Sequence, residues 1–373
     1  MADRPARMVT PDVTDVTDAA DAATTGATTG ATTAATTGAI RGDSPGRAAR
    51  RRHLRRVGGA VVWWWTAVVG LVAISQAVGF TWIPLLFVLQ ALTPYLFAPS
   101  LPIAAVAAWR RHTRLAAVHA GIVVALAVLA VPLVVQGDRG STGPDPVRLR
   151  VAHANTYYRT VEPDAAARTV LAFDADVLAV TEYSWQFGAA FERAGGDERY
   201  PYAERRSPGD RNGIALFSRY PIVEAEITPV HRSMLVDATV SVDGTPVRVV
   251  VAHPLPGMDR ESLAAWSADL AAIDERVDPD PRTVLLGDFN ASWWHPLFRD
   301  LLDEGWVDAH ESVGRATSMS WPNDLPGPAF VRIDHALLGT GVVADAVRDV
   351  DVPGSDHRAF VLELAVERSG TSG

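Results

Sequence analysis

Eight polar residues stand where short apolar runs stop: Asn155, Glu182, His253, Asp288, Asn290, Asp334, Asp356 and His357. Ends of strands and the loops beyond them are where a rigid scaffold presents chemistry. Singly, each has an ordinary reading, because Asn and Asp are common turn residues and a lone Glu is usually solvated. Together they form a set rich in carboxylates, amides and imidazoles. Hard oxygen ligands of this kind suit Mg²⁺, with Mn²⁺ as a substitute. Mg²⁺ held by one or two carboxylates keeps several waters and is the usual companion of phosphate groups. A zinc site is disfavoured by the lack of a His-Glu-x-x-His pattern or comparable His pair. The chain has no cysteine, which excludes disulfides, thiolate metal sites and a thiol nucleophile.

The elements that must position these residues run from Val147 onward, where apolar runs alternate with helical patterns in the manner of an α/β domain. Strands are predicted over 148–154, 177–180, 214–218, 235–242, 247–252, 283–286, 331–338 and 359–366. Helices are predicted over 163–173 and 259–277. In the second, Leu263, Trp266, Leu270, Ile273 and Val277 fall at spacings of three and four and make one apolar face. So many strands imply two sheets. His335 lies beside Asp334 on a predicted strand, so it points to the opposite face and is left out of the site.

The first 146 residues are of another kind. Residues 1–46 are polar and repetitive, too poor in large apolar side chains to offset the entropy of ordering, and are expected to be disordered; translation from Met8 is an alternative start. Residues 47–136 combine an Arg cluster (Arg47 to Arg56) with apolar runs over 57–80, 83–109 and 115–135, each of about the 20 residues a membrane span requires. Three spans are expected, the middle one kinked or re-entrant at Pro84, Pro94, Pro99 and Pro102. An uncleaved anchor fits these runs better than a signal peptide. The Arg cluster and the group Arg110, Arg111, Arg114 should stay cytoplasmic, which delivers the domain at 147–373 to the outer side of the cell membrane through a linker at 137–146. The net charge of −9 conceals an asymmetry: 13 Arg against 8 acids before residue 147, and 21 Arg against 35 acids after it.

Ordered along 147–365, the stretches His153-Ala154-Asn155, Val180-Thr181-Glu182, Asn212-Gly213 to Ser218-Arg219, Ala252-His253-Pro254, Gly287-Asp288-Phe289-Asn290, Arg332-Ile333-Asp334 and Gly354-Ser355-Asp356-His357 resemble the endonuclease/exonuclease/phosphatase superfamily. The resemblance implies a four-layer α/β sandwich, two packed β-sheets with helices outside, and metal-dependent hydrolysis of a phosphoric ester. It implies Glu182 as the main Mg²⁺ ligand with Asp356 as an additional one, and Asn155 beside them contacting metal-bound water or phosphate. Asp288 would activate the attacking water and Asn290 orient it. Asp334 would hold His357 in its cationic form, and His357 and His253 would stabilise charge on the phosphate, His253 protonating the leaving oxygen.

The spans and the stretch Ser320-Trp321-Pro322 resemble, more narrowly, membrane-bound members associated with teicoplanin resistance, which implies a lipid-linked phosphate of the cell envelope as substrate. Nucleic acid is disfavoured as a partner, because an acidic domain opposes phosphate-backbone binding and no DNA-gripping insertion is evident. A surface-tethered nuclease and a scaffold without turnover are the alternatives. Trp63-Trp64-Trp65 suits an interfacial belt or packing between spans, and Trp293-Trp294-His295 suits a groove lining, a contact with lipid or a structural corner.

Overall fold

The computed structural model describes residues 45–134 and 140–370. Almost all of the expected disordered tail and the first part of the expected linker fall outside the described residues. The described residues from Gly58 onward form one compact unit, and of residues 1–57 the described part is the opening of the first helix.

Five helices come first: α1 (Pro45–Ala77), α2 (Pro84–Ala91), α3 (Thr93–Phe97), α4 (Ser100–Trp109) and α5 (Thr113–Val134). Two stretches, Ala49–Ala77 and Thr113–Val134, are long and apolar enough to cross a membrane. The run between them is broken, with Pro84–Ala91 and Thr93–Trp109 bent by 78°. Proline explains the break: Pro84 opens α2 behind an extended Ile83, and Pro94 stands in the first turn of α3, positions where a missing N–H costs nothing. Val69, Val72, Leu86, Phe97 and Ile122 form a small core among these helices, onto which Trp65 packs while Trp63 and Trp64 stay exposed.

Among the described residues twelve strands follow. They are β1 (Val147–Asn155), β2 (Val177–Thr181), β3 (Tyr202–Arg206), β4 (Ile214–Ser218), β5 (Ile222–Val230) and β6 (Ser233–Val242), then β7 (Thr245–Ala252), β8 (Thr283–Asp288), β9 (Val307–Asp308), β10 (Asp334–Leu338), β11 (Val342–Asp351) and β12 (Arg358–Val366). One sheet has the order β11-β12-β1-β2-β4-β3, the other β5-β6-β7-β8-β10-β9. Each contains a single parallel pair, β1 with β2 and β7 with β8, and each of those pairs is joined by a crossover helix, α6 (Pro163–Leu171) or, after α7 (Trp185–Arg193) and α8 (Gly196–Arg199), α9 (Arg260–Asp274). α10 (Pro296–Asp303) and α11 (Ala309–Ser312) complete the set.

The sheets pack face to face through side chains such as Val151, Ala179, Leu216, Val249, Leu286 and Leu362. Outside one sheet, Val170, Phe187, Phe191 and Phe217 join it to α6 and α7. Outside the other, Leu263, Trp266, Phe289 and Phe298 join it to α9 and α10, and Phe87 of α2 belongs to this same cluster. The fold is the expected α/β sandwich of two packed sheets flanked by helices, preceded by apolar helices able to span a membrane.

Three long or exposed strands were not foreseen in the sequence pattern: β3, β5 and β11. Their reads, YAERR, IVEAEITPV and VVADAVRDVD, are rich in charge because β3, β5 and β11 are sheet edges with solvent on one side.

Candidate active site

Strand direction gathers the polar set. Asn155 ends β1, Glu182 follows β2, His253 follows β7 and Asp288 ends β8, so the carboxyl ends of both parallel pairs converge. β10 runs antiparallel to β8 and opens on Asp334 in register with Asp288. Asp356 and His357 precede β12, which runs antiparallel to β1 and returns to the same end. Close strand approach is built in at Gly287, where a Cβ would lie 1.9 Å from the Ala252 carbonyl oxygen.

Asp288 is the hub. Its Oδ2 accepts a hydrogen bond from Asn155 Nδ2 at 3.0 Å and lies 3.6 Å from His253 Nε2 and 3.7 Å from His357 Nε2, while Oδ1 accepts from the Asn290 backbone N–H at 2.9 Å. The Asn290 side chain donates to the Pro254 carbonyl, tying the loop after β8 to the loop after β7. Behind the hub, His357 Nδ1 donates to Asp334 Oδ2 at 2.8 Å, and His153 Nδ1 lies 3.5 Å from the other Asp334 oxygen. Ser355 fixes this end, donating to the Asn155 carbonyl and accepting from the His357 N–H.

Burial penalises every charge here, and the partners decide which charges survive. Burial would push Asp288 up, but the His357 and His253 imidazoles and the Asn290 N–H hold it well below the ordinary carboxylate range. Burial would push His357 down, yet Asp334 and Asp288 raise it to about 10, so it is cationic at neutral pH. His253 is raised as well, the Asp288 and Glu182 charges outweighing its burial. At His153 burial outweighs the Asp334 and Asp288 charges, which the His357 and His253 charges oppose, and takes it down to about 4.

Glu182 and Asp356 differ from Asp288. Burial raises both and outweighs what opposes it: for Glu182 the His253 charge and the Tyr158 N–H at 3.0 Å from Oε2, for Asp356 the His357 charge and Trp321 Nε1 at 3.3 Å from Oδ2. Two half-compensated carboxylates on one cavity are a donor set that a hard divalent cation would complete. A tighter group, Asp288, Asp334 and His357, has ligand atoms within 4.8 Å of one another and could bind a metal by spacing. Within that group His357 Nδ1 already donates to Asp334 Oδ2, whereas Glu182 and Asp356 each have a single hydrogen-bond donor on one oxygen and face the cavity.

Glu182, Tyr157 and Asn290 have φ of +52°, +51° and +47°, three of the eight non-glycine residues with positive φ among those described. Such backbone costs free energy that its surroundings must over-determine, and it clusters at functional sites.

The set opens into a cavity of about 610 Å³. Its floor carries Glu182, Asp288, Asn290, Asp356 and His357. One wall is apolar and comes from the opposite end of the sequence: Phe87, Val88 and Ala91 of α2 and the following Leu92. Hydrogen bonds, some of them buried, fix α2 and its neighbours against the sandwich. The Ser292 N–H donates to His295 Nδ1 at 2.9 Å, so His295 Nε2–H donates to the Phe87 carbonyl, also at 2.9 Å. Gln76 donates to the Trp294 carbonyl, Trp293 Nε1 to the Leu129 carbonyl and Tyr95 to the Phe330 carbonyl.

Sequence reasoning missed three groups. His153 was visible in the His153-Ala154-Asn155 stretch but not assigned. Tyr158, Arg159 and Arg211 flank motif residues yet carry no motif of their own. His335 does face away from Asp334 and bridges Asp308 Oδ2 at 2.8 Å and the Ala291 carbonyl at 3.0 Å, while Arg332 pairs with Asp308 and Glu311. That buried network braces the loop carrying Asp288 and Asn290. Ser320 accepts from the Ile333 and Asp334 N–H groups, and the neighbouring Trp321-Pro322 peptide is cis.

The sequence matches the profile of the Endonuclease/Exonuclease/phosphatase family over residues 152–357, from the strand bearing Asn155 to His357 itself. The chain belongs to this family. Members of the endonuclease/exonuclease/phosphatase family hydrolyse phosphoester bonds and are typically dependent on a divalent metal. Solved structures with similar coordinates include the endonuclease/exonuclease/phosphatase from Beutenbergia cavernae (17% identity, 59% of this chain and 72% of that one, TM-score 0.48). Others are D. rerio TDP2 complexed with a single-strand DNA product (15% identity, 58% and 98%, TM-score 0.49) and the family protein from Bacteroides vulgatus (16%, 59% and 100%, TM-score 0.47). No curated protein is significantly similar to the chain.

Proposed function

We propose that the protein is a membrane-anchored, Mg²⁺-dependent phosphoester hydrolase whose catalytic domain lies outside the cytoplasm and acts on a lipid-linked phosphate. The observation that carries this reading is the cavity with a catalytic floor and an apolar wall supplied by α2. A headgroup can sit on the floor while its chain lies along the helix. The likeness of the spans and of Ser320-Trp321-Pro322 to the teicoplanin-resistance-associated members supports it.

Orientation is argued from which helix ends meet the sandwich. Contacts come from Gln76, Phe87, Tyr95 and Leu129. Arg114 lies 15 residues before Leu129 on α5, about 22 Å lower along a helix axis. A basic group remote from the catalytic domain belongs on the cytoplasmic side.

In the proposed reaction Glu182 and Asp356 would hold the metal, with Asn155 beside them. A cation bound there would supply Lewis-acid polarisation and charge neutralisation to the phosphoryl group. Asp288, kept ionised, takes a proton from the attacking water, with Asn290 fixing the carboxylate through its N–H. His357, held cationic by Asp334, faces the phosphoryl oxygens, and His253 delivers a proton to the leaving oxygen.

Purified full-length protein in detergent with Mg²⁺ is expected to release phosphate from polyprenyl phosphates or diphosphates, and Glu182→Ala to lose that release. No release from either lipid, or equal release by the variant, defeats the reading, and cleavage of plasmid or single-stranded DNA at low salt would favour a tethered nuclease. A reporter fused after residue 140 should be active only outside the cytoplasm.

A further inference from the structure

We propose that Arg159 and Arg211, gathered on the Tyr158 ring, form a second anion subsite, so that the preferred substrate is an amphiphile bearing two linked phosphates. This rests on the phosphoester reading above and narrows it. The turn that carries the subsite hangs from two floor residues: the Tyr157 N–H donates to Asn155 Oδ1 at 2.9 Å and the Tyr158 N–H to Glu182 Oε2 at 3.0 Å. Tyr157 adopts φ +51°, which turns the chain so that Tyr158 and Arg159 face the cavity. Arg211 arrives from another loop, pinned where a Cβ on Gly213 would lie 1.9 Å from the Tyr183 carbonyl oxygen. The guanidinium carbons of Arg159 and Arg211 stand 5.0 Å and 5.9 Å from the Tyr158 ring centre, and both residues line the cavity.

Charge accounting supplies the ligand class. Arg150, Arg199, Arg219 and Arg248 pair with carboxylates, whereas Arg159 and Arg211, like the exposed Arg168, Arg206 and Arg276, have no carboxylate partner among the described residues; Arg159 and Arg211 differ from those in sharing the Tyr158 ring at the cavity. Asp210, the acid nearest Arg211 in sequence, is occupied by the Asn212 N–H at 2.8 Å. The scissile phosphate is served by the Glu182 end, which leaves two planar, fork-shaped cations for another phosphate. The α2 wall favours a lipid over a nucleic-acid strand as the carrier of that second charge. The reaction balances simply: a water oxygen bonds to the terminal phosphorus and the bridging P–O bond breaks. The bridging oxygen keeps the electron pair and stays on the lipid monophosphate, while inorganic phosphate leaves and the water's proton passes to Asp288.

The test compares kcat/KM for a polyprenyl diphosphate and for the monophosphate of the same chain, using the full-length protein in detergent with Mg²⁺. Wild type is expected to favour the diphosphate, and the double variant Arg159→Ala/Arg211→Ala to lower that preference about tenfold, chiefly through KM. As a readout free of turnover, a prenyl methylenediphosphonate in EDTA should raise the Tm of wild type more than that of the double variant. A wild-type preference near one, or a preference and Tm shift unchanged by the substitutions, overturns the subsite while leaving the hydrolase reading intact. Release from neither lipid removes both. DNA cleavage that depends on the two arginines also overturns it, by assigning the second charge to a nucleic-acid backbone.

Discussion

His357 and His295 are both fully buried, yet one is raised to about 10 and the other lowered to about 4. The first stands in the candidate active site against Asp334 and Asp288. The second stands where α2 meets the sandwich, between the Ser292 N–H and the Phe87 carbonyl. Desolvation pushes both the same way, so the partner alone decides the outcome: carboxylates preserve the charge, and a peptide donor–acceptor pair fixes one neutral tautomer. The same residue type is thus an electrostatic tool in one region and a structural pin in the other.

The largest expected effect comes from removing the charge at the hub. Asp288→Asn should lower kcat by about 10³-fold or more with little change in fold, as seen by circular dichroism and phosphate release. Retained turnover would detach the hub from the chemistry. Next, Asp334→Asn should leave His357 without its main counter-charge and cost about 10²-fold in kcat, with the alkaline limb of the pH–rate profile moved to lower pH. If the alkaline limb stays in place, Asp334 does not set the charge of His357.

The two histidines also predict opposite pH windows for stability. His295 has a folded pKa below its unfolded value, so the unfolded chain binds more protons between pH 6.5 and 4, and stability is lost as pH falls through that window by up to about 3 kcal/mol. His357 has a folded pKa above its unfolded value, so its contribution is whole below pH 6.5 and is lost as pH rises toward 10. Thermal unfolding in EDTA across pH 4 to 10 reads both. In His295→Phe the acid loss should shrink and the alkaline loss remain; an unchanged acid limb would place its cause elsewhere. Smallest is Trp293→Phe, which removes the hydrogen bond to the Leu129 carbonyl and should lower stability by about 1 kcal/mol, measurable as a modest fall in Tm.

What was legible in the sequence follows from these contrasts. Apolar runs ending in a single polar residue marked β1, β2, β7 and β8, because central strands read as continuous apolar segments and their last residue is free to be polar. Edge strands such as β3 and β11 hid because their charges belong to solvent. The bracing of His335 by Asp308 and the docking of Phe87 on His295, 208 residues away, were out of reach of any local pattern. The break in the middle apolar run was legible for a local reason, its prolines, and the structure bends there by 78°. The arginines beside Tyr158 were present next to motif residues, but only folding shows that they share a ring and lack carboxylate partners.

On the proposed reading, the wall that α2 lends to the cavity changes the unit in which this enzyme measures its substrate. A lipid that reaches the floor sideways is counted per neighbouring lipid, not per litre. Diluting it with inert amphiphile at constant bulk concentration should slow turnover, and the apolar product should leave by the same lateral route. Affinity constants for such a site would therefore be mole fractions of a surface.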